Sequence, residues 1–354
     1  MNEKKPENWR PYYESFGPMK PENPTLCRWF HLELDSHCNL RCALCFAGNM
    51  EGYENTHGRM SLDLVERIYD KIQTENPNAV IRPYGNAEPF LYPWLPEAIH
   101  GANRRGLLFE IASNLNCVLR LEETLAAKPA YILVGISGWT QETYSKSHCR
   151  GDIEKVRANL IKIAKLRSKY PTRILLNYQI YTDNQGPEME QAKAFATNLG
   201  FEWAPSPGRA ISLENALVYL RWKEKFSTGS IPKLGKCSKG FDWDAILPET
   251  PTQNYKEQIP RLIFSPEWAK TFYAKWPIPQ ICPIKDIGCY IRWDGRVTYC
   301  CIESDRRLDI GNFLEMTQQQ MVEARSGHPI CRECLRYRFN LYTNLVDYKR
   351  WGCE

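Results

Sequence analysis

Between positions 29 and 203 strand-like and helix-like segments take turns, and this alternation limits the fold more than any other feature: it is the pattern of an α/β chain with a parallel sheet. The strand candidates are residues 29–34, 80–84, 107–112, 131–136, 174–180 and 201–203. Between them, Ser61 is placed to cap a helix carrying Leu62, Val65, Ile68, Tyr69 and Ile72 at spacings of three and four. Further helical patterns cover 96–104, 118–127, 153–166 and 188–199, with Gly106 and Gly200 where a helix would turn into the next strand. Six such units are two short of a complete eight-unit barrel.

The first strand candidate feeds Cys38-Asn39-Leu40-Arg41-Cys42-Ala43-Leu44-Cys45, three thiols spaced C-x3-C-x2-C on one loop. Thiolates are soft ligands suited to iron–sulfur clusters. Three of them from a tight loop leave a cubane cluster one iron without a protein ligand, where a cofactor can bind. From the trio alone a zinc knuckle or a disulfide pair is equally open.

The surroundings favour metal over disulfides. The N-terminus is charged and Pro-rich, without the apolar core of a signal peptide, and no later run reaches membrane-spanning length, so the expected compartment is the cytoplasm. Thiols are kept reduced there, and fourteen cysteines then read as metal ligands. Lys and Arg exceed Asp and Glu by 46 to 41 with no block of like charge, which argues against a nucleic-acid partner. At 354 residues, 43 % hydrophobic, the chain has material for one large or two moderate domains.

Cys38, Cys42 and Cys45 with the intervening Asn-Leu-Arg resemble the signature loop of radical S-adenosylmethionine (SAM) enzymes. The resemblance implies a 4Fe-4S cluster whose open iron is chelated by SAM. It also implies reductive cleavage of SAM to a 5'-deoxyadenosyl radical that abstracts a substrate hydrogen. The fold it implies is a partial (β/α)6 TIM-like barrel with its chemistry at the C-terminal ends of the strands. The family often has an aromatic residue before the third Cys; here that position is Leu44, with Phe46 just after the Cys.

The same resemblance extends along the strand ends. Gly85-Asn86-Ala87-Glu88-Pro89 is similar to the family's Gly-Gly-Glu-Pro, which makes Gly85, Asn86 and Glu88 candidates for the SAM amino group. Ser113 and Asn114 match a segment that could bind ribose or the SAM carboxylate, and Arg150 in Arg-Gly matches the arginine that holds that carboxylate. Ser137 stands where some relatives place an Asp near the substrate, and is the one weak candidate for a catalytic role. His148 and Cys149 have no motif partner and read as structural or solvent-facing.

A second cysteine set follows. Asp294-Gly295 signals a two-residue hairpin that brings Cys289 and Cys300 near each other, and Cys331-Arg-Glu-Cys334 supplies two more thiolates. This resembles the twitch domain, the shorter form of the SPASM extension, with one auxiliary 4Fe-4S cluster. The match assigns it Cys282, Cys300, Cys331 and Cys334, with Cys289, Cys301 and Cys353 as possible substitutes. Asn340 and Asn344 occupy positions where a full SPASM domain has cysteines. Zinc suits four thiolates equally well.

The expected organisation is an extended leader over 1–28, the partial barrel over 29–205, an aromatic-rich insertion or cap over 206–281, and a small α+β twitch/SPASM-like domain over 282–354. The implied activity is oxidation of a substrate by a radical SAM oxidoreductase, the auxiliary cluster accepting an electron. The substrate would be a ribosomally made peptide (crosslinked or dehydrogenated) or, alternatively, a sugar or aminocyclitol-type small molecule. A reductant such as flavodoxin or ferredoxin would be the electron donor. A non-catalytic binding protein stapled by zinc is the reading from another class.

Overall fold

The computed structural model describes residues 27–49, 57–83, 85, 87–231, 247–273, 282, 288–298, 300, 305–325 and 329–340. Six strands, β1 (Trp29–Leu32), β2 (Val80–Arg82), β3 (Leu108–Ser113), β4 (Tyr131–Ile136), β5 (Arg173–Ile180) and β6 (Glu202–Trp203), lie side by side in chain order and all parallel. A seventh, β7 (Ser206–Pro207), pairs with β5 further along. This is the α/β partial barrel that the alternation and the resemblance anticipate.

Every second strand residue faces one side, where Phe30, Leu32, Ile81, Phe109, Ile111, Ile132, Val134, Ile136, Ile174, Leu176 and Tyr178 are buried. After the short α1 (Phe46–Asn49), six helices follow: α2 (Leu62–Glu75), α3 (Leu95–Arg104), α4 (Leu121–Ala126), α5 (Gln141–Ser145), α6 (Ile153–Leu166) and α7 (Pro187–Asn198). Buried apolar side chains from these six join the same core, among them Val65, Ile68, Ile99, Leu125, Tyr144, Leu160 and Ala196. Ser61 accepts from the Leu64 amide at 3.2 Å and starts α2 as expected. α4 begins later than its apolar pattern because Arg120 takes a left-handed conformation at φ 49°. Gly200, at φ 68°, closes α7 with Phe201 N bonded to Ala196 O at 2.9 Å.

The opposite face is polar. The strand register sets Tyr290, His31, Arg82, Glu110, Tyr131 and Arg173 in one layer across the sheet. Arg82 Nε lies 2.7 Å from Glu110 Oε2, which also accepts from Tyr131 Oη at 2.9 Å, and the Arg82 guanidinium sits 4.4 Å over the Trp29 ring. Paired in this way the buried charges avoid an isolated desolvation penalty.

The C-terminal segment begins by extending this sheet. β8 (Gly288–Ile291) runs parallel along the free edge of β1, from Trp29↔Gly288 to Leu32↔Ile291. Next come β9 (Arg296–Val297) and β10 (Gly311–Asn312), both antiparallel, giving the order β10-β9-β8-β1-β2-β3-β4-β5-β6. The hairpin expected at Asp294-Gly295 is present, but its loop has three residues, Trp293-Asp294-Gly295. Arg292 N bonds Arg296 O at 2.8 Å, Gly295 N bonds Arg292 O at 2.9 Å, and Gly295 takes the left-handed position at φ 83°.

A second apolar cluster forms under α8 (Leu213–Thr228) and α9 (Gln253–Gln258), built on Leu213, Leu217, Tyr219, Leu220, Tyr255 and Ile259 and joined by Tyr337 and Phe339. α10 (Pro266–Tyr273), α11 (Gln318–Arg325) and α12 (Pro329–Arg336) complete the described helices. Among the described residues no helix is long and apolar enough to cross a membrane.

Candidate active site and thiol clusters

The loop after β1 is fastened on several sides. Asp35 is buried and accepts from Arg59 Nε at 2.7 Å and from the His37 amide at 2.9 Å. Glu88 N donates to His37 O at 3.0 Å. Arg41 N and Ala43 N donate to Cys149 O and Ser147 O, both at 3.0 Å. The three thiols therefore sit at the C-terminal ends of the parallel strands, between the β2 and β4 loops.

Their electrostatics mark them as neighbours. Burial pushes the Cys38 thiol up to about 12. Cys42 is raised well above its ordinary value by burial first and then by Cys45, Cys38 and Cys149. Burial raises Cys45 too, against amide bonds from Ala47 and Phe46. Acidic groups that raise one another are the donor set a cation would relieve, and soft sulfur suits iron. As the side chains stand, no group of three or more His, Cys, Asp or Glu among the described residues converges tightly enough to hold a metal ion. The loop gathers three thiols in one region and not in a closed cage.

Several predicted cofactor residues bond to each other. Glu88, 2 % exposed, accepts from Ser113 Oγ at 2.7 Å, Asn114 N at 2.9 Å and Phe90 N at 3.2 Å, tying the β2 end to the β3 end. Burial raises its pKa to about 7 despite those bonds. Asn114 Nδ2 reaches Asn39 Oδ1 at 3.0 Å and lies 3.9 Å from Cys38 Sγ, so the β3 end abuts the thiol loop. Arg150 is exposed, next to the Cys149–Arg41 contact, and holds a left-handed φ of 68°, a costly backbone state for a non-glycine residue. Asn86 lies outside the described residues.

At Gly85 the reason for glycine differs from the one expected. A Cβ there would stand 2.4 Å from Tyr290 Cε2 and 2.7 Å from its hydroxyl, so the β8 ring occupies the space over this backbone. Ser137 has a structural setting of its own. It is fully buried, with Oγ 2.6 Å from His148 Nδ1 and its carbonyl accepting from Asn184 Nδ2 at 2.9 Å, so it braces the β4 end. His148 stacks on Tyr144 with ring centroids 4.6 Å apart, and burial lowers its pKa to about 4. It is a neutral packing residue. Leu44 points into the apolar cluster under α8 and α9, while Phe46 is buried.

In the second set, Cys334 is buried and its thiol is raised well above the usual range, by burial first and then by Cys282, Cys300 and Cys331. The other three predicted thiols thus act on Cys334, and Cys300, Cys331 and Cys334 lie in or against the cluster that holds Leu44. Cys289 is not with them: it is 1 % exposed in the main core, its Sγ 3.8 Å from Met321 Sδ. Cys301 and Cys353 lie outside the described residues. Sequence reasoning missed Tyr290 and Cys149. The only local hint was Cys149 standing directly before Arg150.

No family model matches the sequence. A Pyrococcus furiosus protein described as a tungsten-containing aldehyde ferredoxin oxidoreductase cofactor-modifying protein is 21 % identical over 280 residues, 77 % of this chain and 70 % of that protein. Streptococcus suis SuiB bound to S-adenosylmethionine aligns with a TM-score of 0.52 at 12 % identity, covering 85 % of this chain and 68 % of SuiB. SuiB bound to precursor peptide SuiA gives 0.51 at 12 % identity, over 88 % and 67 % of the two chains. The likeness to SuiB is one of fold, the α/β partial barrel expected from the sequence.

Proposed function

We propose that this chain, built on the radical SAM fold, is a radical SAM enzyme that oxidatively modifies its substrate. The observation that carries the reading is the trio Cys38, Cys42 and Cys45 held together at the C-terminal end of β1. When bound there, a 4Fe-4S cluster and SAM supply one-electron cleavage of the sulfonium and a carbon radical that takes a hydrogen atom. The chain's part is placement. Arg150 offers a guanidinium to the SAM carboxylate, Asn114 offers its amide beside Cys38, and Glu88 fixes the β2 and β3 ends on either side. Cys282, Cys300, Cys331 and Cys334 are the ligands for an auxiliary cluster, which takes the electron that a substrate oxidation releases. Flavodoxin or ferredoxin serves as the external donor.

For the substrate we favour a peptide, in keeping with SuiB, whose structure includes a precursor peptide. The second reading is a small molecule, and the relative described as cofactor-modifying supports it. The test is anaerobic purification followed by incubation with SAM, a reductant and candidate substrates. About eight irons per chain, loss of visible colour on reduction and 5'-deoxyadenosine formation are expected. Ala at Cys38, Cys42 and Cys45 together should abolish deoxyadenosine. A colourless protein carrying zinc, or product surviving in the triple variant, overturns the reading. Loss of a pair of hydrogens from a peptide, with its deuterium carried into deoxyadenosine, decides between the two substrate classes.

A further inference from the structure

The segment after β3 and the turn that leads into α6 are joined through one side chain. Asn116 Oδ1 accepts from Asp152 N at 2.6 Å, while its Nδ2 donates to Tyr144 Oη at 2.8 Å and to Asn114 O at 3.0 Å. A backbone amide only donates and a carbonyl only accepts, so both ends of a carboxamide are used here. On either side of this bridge the backbone is left-handed, at Leu115 with φ 54° and at Arg150 with φ 68°. Leu115 is held by Ser113 Oγ, which accepts from its amide at 2.9 Å, and by Asn159 Nδ2, which donates to its carbonyl at 2.9 Å. After Arg150, Gln141 donates to Gly151 O at 2.9 Å and accepts from Ile153 N at 3.0 Å. A Cβ on Gly151 would stand 2.7 Å from Tyr144 Cε1, so the turn rests directly on that ring.

We propose that Asn116 is a positioning residue for SAM, locking Asn114 and the Arg150 turn into one frame before the cofactor arrives. The proposal rests on reading Asn114 and Arg150 as SAM contacts, and Asn116 acts through them. Its backbone amide donates to Asn114 Oδ1 at 2.8 Å, which leaves Asn114 Nδ2 turned to Asn39 Oδ1 at 3.0 Å, with Cys38 Sγ 3.9 Å away. Its side chain holds the residue two places beyond Arg150. An arginine on an unbraced left-handed turn would sample other backbone states, and ordering it on binding would weaken affinity. With the turn fixed in the free protein, folding has already supplied that order.

The test is a double-mutant cycle on SAM affinity, measured by calorimetry on the reconstituted full chain at equal iron content. Asn116→Ala should weaken SAM binding about tenfold, the worth of one hydrogen bond in an equilibrium constant. In an Arg150→Ala background the same change should weaken it by less than about threefold, because the main group that Asn116 positions is gone. Asn116→Ser keeps one hydroxyl for several partners, should fall between the parent and Asn116→Ala, and carries the same cycle if the alanine variant does not fold. Asn103→Ala removes a carboxamide that ties two other segments, Nδ2 donating to Ala127 O at 2.7 Å, and should bind SAM like the parent. An equal loss with and without Arg150, or parental affinity in both Asn116 variants, overturns the role of Asn116 and leaves the cofactor site standing. A parent chain that binds no SAM overturns both.

Discussion

Replacing Gly85 by Ala tests why a glycine stands at the end of β2. The added methyl would stand 2.4 Å from Tyr290 Cε2, against 3.4 Å for ordinary contact, so the ring must retreat by 3.4 − 2.4, about 1 Å. Tyr290 is 3 % exposed, stacks on His31 with centroids 6.2 Å apart and belongs to a paired strand, so it has little room to move. Overpacking of this kind costs about 1–3 kcal/mol. With a urea slope of about 3 kcal/mol/M the midpoint should fall by roughly 0.3–1 M. In a Tyr290→Leu background the same substitution should cost less than about 0.5 kcal/mol, so a double-mutant cycle isolates the contact. An equal cost in both backgrounds would refute the packing argument. So would unchanged stability together with a loss of SAM affinity, which would return Gly85 to the role of admitting a ligand to its backbone.

Three further outcomes are expected. Glu33 is buried beside Arg292 and Trp293, and burial raises its pKa from 4.5 to about 7. Between those values the unfolded chain releases the proton and the folded chain keeps it, so stability falls as pH rises, by roughly 3 kcal/mol in all, and levels off above 7. Denaturant midpoints of Glu33→Gln should lack that component; parallel pH curves for the two proteins would remove it. Glu110→Gln leaves the Arg82 charge buried without its carboxylate and should cost about 3–5 kcal/mol, whereas Arg82→Met with Glu110→Leu should restore most of the loss. If the double variant unfolds as early as the single one, the ion pair is not the cause. Arg150→Gly relieves a left-handed backbone and should raise stability by about 1 kcal/mol, and calorimetry should show SAM binding weakened at least about tenfold. Undiminished binding would remove Arg150 from the cofactor site.

What could be read in advance follows the range of the interactions involved. Ser61, Gly200 and the alternating apolar residues of β4 and β5 act on neighbours within a turn or across one face, so their positions were legible from spacing. The pairing of β8 with β1 was not. A parallel strand finds its partner across more than 250 positions, and nothing local to Gly288–Ile291 names Trp29–Leu32 as that partner. Gly85 shows the same limit at one residue: glycine announced a close approach, but whether a ligand or the Tyr290 ring made it depended on a strand two hundred positions away. The thiol sets stood out in the sequence because their spacings are short and local. Cys149 did not, because only the fold carries the turn after β4 back to the loop after β1.

Beyond its geometry, the union of β8 with β1 bears on modularity. Without β8, the strand that launches the first thiol loop would show a bare row of amides and carbonyls to water, an invitation to pair with another molecule. The barrel therefore should not survive excision as a self-sufficient unit: trimmed of its C-terminal third, it is expected to aggregate, and homologous swaps that exchange that third must preserve the strand that seals the seam.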